Sequence, residues 1–169
     1  MMIRKTITTL LLIVYVSTFA QDVTLEEISN NIKQIETDTT FTLTEQNQLK
    51  QIKTTLDGGY LLKIWHKGRK ISKIVEDIGL SYGSIQTTVY LTNHTPIKII
   101  ESEDIFAETP TGLNYKKLNN AYKVTHDILN WEHKKIITKE AGTRVFNTPK
   151  KAILDYNLLI DSAKKTIDE

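Results

Sequence analysis

Three of the four histidines sit in matching surroundings. The stretches "YLLKIWHKGRK" (60–70), "TTVYLTNHTPIKI" (87–99) and "HDILNWEHKKII" (126–137) each run from apolar residues into a short polar tip and out again. Histidines repeated at equivalent tips suggest a metal site, and geometry argues against it. Zinc holds ligand nitrogens about 2.0–2.1 Å away, whereas equivalent tips of neighbouring hairpins are two strands apart, about 9–10 Å. No metal and no cofactor is expected. The same tips carry Trp65, Arg69 and Trp131, residue types enriched at binding hot spots, on loops of the kind that often carry function. Trp65, His66, Arg69, His94, Trp131 and His133 are therefore the candidate binding residues. The competing reading is packing: the tryptophans cover the sheet, and neighbouring lysines solvate the strand ends.

A second group is the acidic run "ESED", Glu101 to Asp104, with Glu76 and Asp77 at the like place one hairpin earlier. Paired carboxylates act as general acid and base when their surroundings split their pKa values. A hydrolase built on Glu101, Glu103 and His126 is thus one reading. Clustered charges are more often hydrated, which makes a solvated strand end the expectation. No nucleophile elbow, His-Glu-x-x-His, EF-hand loop, phosphate loop or dinucleotide fingerprint occurs. Without cysteine, thiol chemistry is excluded. No enzyme is expected and no catalytic residue is assigned.

The elements that would position these residues follow from periodicity. Residues 58–146 are rich in Ile, Val, Tyr, Thr and Trp, interrupted by polar tips. Aligning Ile71, Ile97 and Ile136 brings Lys67-Gly68, Asn93-His94 and Glu132-His133 to equivalent turns. The last is the poorest turn dipeptide, so a longer loop is expected there. Residues 107–119 read as an inserted loop, with Leu113, Tyr115 and Leu118 folding back on the sheet. One hairpin cannot bury its own apolar face, whereas three in series make a meander of about six antiparallel strands.

Leu25, Ile28, Ile32 and Ile35 form a helical stripe over 24–36, opened by a capping box of Thr24 and Glu27. Residues 44–56 carry a weaker helical pattern within a segment 24–56 read as helical, although Phe41 and Leu43 also alternate as in a strand. A C-terminal helix is expected over 149–167, capped by Thr148 with Pro149 first, its face made of Ile153, Tyr156, Ile160, Ala163 and Ile167. The fold class is α+β, with the terminal helices laid on one face of the meander.

The N-terminus adds a location. Arg4 and Lys5 precede an apolar core, Thr9 to Phe19, and small residues Thr18 and Ala20 suit a signal peptidase. A membrane span needs about 20 apolar residues, and this run is far shorter. Residues 1–20 are read as a signal peptide cleaved after Ala20, and 21–169 as one exported domain, periplasmic or extracellular, with no membrane span. Only Arg4 and Lys5 are charged in the leader, so 22 basic residues fall to 20, matching 20 acidic ones. A neutral chain without a basic face is a poor nucleic-acid binder.

Residues 58–140, with "GGYLLKIWHKGRKISKIVEDIGLSYG" and "TTVYLTNHTPIKIIESED", resemble uncharacterised secreted proteins of Bacteroidetes-type bacteria and, more distantly, MORN-type repeats. The resemblance implies an exported domain and carries over no functional residue. The expected function is non-enzymatic binding of a protein or cell-envelope partner through the hairpin tips. The alternative is a small-molecule carrier, with Tyr90, Tyr122 and Tyr156 lining an apolar cavity under the C-terminal helix.

Overall fold

The structure is a computed structural model that describes residues 22–47, 58–146 and 155–168. The signal segment, most of the weaker helical pattern over 44–56, and Thr148, Pro149 and Ile153 lie outside the described residues. Helix α1 (Leu25–Thr37) is followed by strands β1 (Thr42–Gln46), β2 (Tyr60–Lys67), β3 (Lys70–Leu80), β4 (Gly83–Thr92), β5 (Thr95–Thr109), β6 (Gly112–Asn130) and β7 (Lys135–Gly142). Helix α2 (Tyr156–Asp168) closes the chain. The strands form one antiparallel sheet in sequence order, β1 to β7. This is the α+β meander the hairpin pattern predicts, with seven strands among the described residues where the pattern gives about six.

The extra strand is β1. Residues 42–46 are extended, not helical, and pair antiparallel with β2 from Thr42–His66 to Gln46–Leu62. An available sheet edge and two β-branched threonines outweigh a weak helical period. At α1 the local signals hold. The Thr24 hydroxyl accepts from the Glu27 amide at 3.2 Å, and the Glu27 carboxylate accepts from the Thr24 amide at 2.7 Å.

The turns follow the residues that make them. Asn93 and His94 both have positive φ, 50° and 66°, as a two-residue type I′ hairpin requires. The first tip turns on Gly68-Arg69, one residue later than the alignment places it, with Gly68 at φ 57°. The third spans Trp131–Lys134, the longer loop expected.

Residues 107–119 are not an inserted loop. Strands β5 and β6 run on past the sheet and turn at Pro110-Thr111, so the additional length makes a two-stranded arm. Its register jumps from Phe106–Leu118 to Ala107–Asn114, which bulges Tyr115, Lys116 and Lys117 out of β6. Tyr115 and Leu118 do not fold back. They are 68% and 48% exposed, and Tyr115 rests edge-on against the Phe106 ring at 5.0 Å.

The two helices take opposite faces of the sheet, where periodicity alone lays them on one. Along β4, Val89 and Leu91 point to one side and pack with Leu62, Ile64 and Ile99 under Tyr156, Leu159, Ile160 and Ala163 of α2. Tyr90, between them, points to the other side and packs with Ile97 and with Ile28 of α1. A strand apolar on both faces needs a cover on each.

Candidate functional site

The hairpin tips share one end of the sheet, yet their candidate residues do not converge. Trp65 faces the α1 side, where the Lys73 ammonium lies 4.7 Å from its ring centre while pairing with Glu36 of α1 at 2.7 Å. His66, the next residue, points to the opposite face. In the neutral ring its Nδ1–H donates to the Gly68 carbonyl at 2.7 Å, and its Nε2 accepts from the Thr44 hydroxyl at 2.9 Å. Trp131 is half-buried against the α2-side core. It lies four strands from Trp65, about 19 Å across the sheet. Arg69 pairs loosely with Asp168 at the end of α2, 3.1 Å away and open to solvent. His94 and His133 are exposed in their turns. Two tryptophans and one histidine thus have structural partners, and three residues are free at the surface or nearly so.

The acidic run behaves differently from a solvated strand end. Strand β5 alternates, so Glu101 and Glu103 follow Ile99 onto the α2 face, where they are 2% and 0% exposed. Arg144, just beyond β7, forks between them, Nη2 to Glu101 at 2.7 Å and Nη1 to Glu103 at 3.0 Å. The amides of Val145 and Phe146 donate to the other oxygen of Glu103 at 2.7 and 3.1 Å. The Tyr156 hydroxyl reaches Glu101 at 3.4 Å, and the guanidinium lies 4.6 Å from the centre of the Tyr122 ring. Burial and the Glu101 charge push the Tyr156 hydroxyl well above its ordinary range. Burial alone would lower Arg144; its hydrogen bond to Glu101 and the Glu101 charge raise it instead. Both carboxylates are thereby occupied by donors of this chain and closed off from solvent. Nothing in the local sequence marks Arg144, because its role exists only once β5 and the chain after β7 are side by side.

His126 shares this face, 6.0 Å from the Tyr156 ring and 2.9 Å from the Thr138 hydroxyl. The three tyrosines of the carrier reading do not share one. Tyr90 faces α1 and donates to Glu36, whereas Tyr122 is on the α2 face and Tyr156 belongs to α2 itself, so the three cannot line a single cavity. Among the described residues no group of three histidines or acids is placed to hold a metal, and no helix is long and apolar enough to cross a membrane.

Sequence reasoning missed two surface features. At the end of the sheet away from the histidine tips, Tyr82 in the β3–β4 turn is 66% exposed beside the arm, its carbonyl accepting from the Phe106 amide at 2.8 Å. With Tyr115 and Leu118 it makes an apolar end flanked by Lys116 and Lys117. Between α1 and the sheet runs a groove of about 300 Å³, walled by Leu25, Ile28 and Ile32 and floored by Tyr90, Ile100 and Lys98. No protein-family model, curated protein or solved structure matches this chain.

Proposed function

We propose that this is an exported, non-enzymatic domain that binds a protein or cell-envelope partner, and that the β5–β6 arm is the part that does so. The observation carrying this reading is the exposure of three large side chains at one end of the sheet, Tyr115 and Leu118 on a ribbon that projects beyond its neighbours and Tyr82 in the turn beside it. Large apolar side chains grouped on a projecting element are characteristic of binding surfaces. The burial of Glu101 and Glu103 against Arg144 supports the non-enzymatic half. Export rests on Arg4, Lys5, the apolar run to Phe19, and Ala20. It predicts a mature protein beginning at Gln21 by mass spectrometry, and an intact Met1 would refute it.

Two variants separate the arm from the histidine tips. One changes Tyr82, Tyr115 and Leu118 to serine; the other changes Arg69, His94 and His133 to asparagine. All six side chains are exposed, so both variants should fold, with stability changes within about 0.5 kcal/mol per site. Pull-down from an envelope extract should lose its partner with the arm variant and keep it with the tip variant. The reverse result would return the binding surface to the hairpin tips.

A further inference from the structure

We propose that the groove between α1 and the sheet is a binding site for a small aliphatic carboxylate, held with its anionic head at Lys139 and its chain along the α1 stripe. This site is separate from the arm and does not depend on it. Strand register sets its layout. Tyr90 pairs with Lys98, and Lys98 with Asp127, making one row across the sheet on the α1 side. The next row on that side is Thr88, Ile100, Thr125 and Lys139. Leu25, Ile28 and Ile32 of α1 stand over these rows, leaving an open groove of about 300 Å³. That is the lower end of the range for small-ligand sites.

The lining decides the chemistry. Ile28 is fully buried, but Leu25, nearly one turn earlier, is 45% exposed, so the apolar stripe continues past the part that the sheet covers. The charges in the groove do not cancel. Lys98 and Asp127 neutralise each other at 2.7 Å, with Asp127 almost fully buried. Lys139 forms no ion pair among the described residues. Asp127 is the one carboxylate among the residues lining the groove. An apolar trough with one uncancelled cation at its β7 end complements a molecule with a hydrocarbon chain and one negative charge. Lys98, in the middle of the groove, is already engaged by Asp127 and offers no uncancelled charge to a ligand's head group. The head group is thereby directed to Lys139, two strands from Ile100, about 10 Å.

The test uses decanoate as the anionic probe and decan-1-ol as its neutral counterpart, both below micellar concentration, titrated into the mature protein and followed by amide chemical shifts. Decanoate should give saturable shifts at Ile28, Ile32, Tyr90 and Ile100. Lys139→Gln should weaken decanoate about three- to five-fold, as expected for one partly exposed charge, and leave decan-1-ol unchanged. Leu25→Asn should weaken both. The proposal is overturned by an absence of saturable shifts, by shifts mapping outside the groove, or by a Lys139→Gln variant that binds decanoate as the parent does. A Lys139→Gln effect of equal size on both probes would also overturn it, because the charge would then not be what is read.

Discussion

Glu103 and Arg144 are 41 residues apart in the chain and 3.0 Å apart in the fold, and Glu103 has no solvent exposure at all. Together with the Val145 and Phe146 amides, this contact fastens the chain leaving β7 onto the face that α2 covers. The cluster exists because the inward parity of β5 places two glutamates where a hydrophobic residue would be cheaper.

Replacing Arg144 with methionine leaves two buried carboxylates without their shared cation. Breaking a buried pair from one side costs about 3–5 kcal/mol, whereas replacing all partners with apolar residues is often neutral or stabilising. Urea denaturation should therefore show Arg144→Met to be much less stable than the parent. The triple variant Glu101→Leu, Glu103→Leu, Arg144→Met should recover most of the loss. A single variant within 1 kcal/mol of the parent would mean that the cluster admits water and that the buried-charge account is wrong.

Ile160 lies in the middle of the α2 face with Leu159 and Ala163. Ile160→Asp puts an unpaired charge there and should cost several kcal/mol, enough to unfold the domain at ordinary temperature. A melting temperature lowered by only a degree or two would show that α2 does not pack on the sheet in solution.

Asp38 ends α1 and accepts from Lys67 and from the Thr40 amide and hydroxyl. Chiefly through the Lys67 hydrogen bond, its carboxyl is lowered from 3.8 to about 2. A carboxyl depressed in the folded state favours folding while it is ionised. Its contribution is complete above about pH 4 and disappears as the pH falls toward 2. Asp38→Asn removes that dependence. Denaturation midpoints of parent and variant should differ at neutral pH and converge by about pH 2; a constant difference would assign the effect to lost geometry and not to charge.

His94 occupies a left-handed backbone position, φ 66°, at the second residue of its turn. Asn-Gly is the preferred pair for this turn, so His94→Gly should stabilise the domain by roughly 0.5–1 kcal/mol. His94→Val should destabilise it. If glycine instead destabilises, the imidazole makes a contact that outweighs the backbone cost.

Much of the frame was legible in the sequence. Thr24 and Glu27 announce the start of α1 because a capping box is a contact between residues three apart. Asn93-His94 announces a tight hairpin because both residues tolerate positive φ. Tyr156, Ile160 and Ala163 mark the buried face of α2 because a helix repeats every 3.6 residues. Each of these signals is short in range, so a local pattern carries it in full.

The remainder depended on partners distant in the chain. Val89, Tyr90 and Leu91 are apolar in succession, which says that both faces of β4 are covered but not which helix covers which. Glu101 and Glu103 read as hydrated acids until Arg144 is brought beside them by the return of β6 and β7. Residues 107–119 carry turn chemistry and too few apolar residues to declare a strand; β5 and β6 extend there because each offers the other a row of hydrogen bonds. Trp65 looks like an exposed anchor until Lys73 and Glu36 close over it from β3 and α1. Local periodicity determines which elements form, whereas burial and charge pairing are properties of what lies opposite, and only the tertiary structure decided that.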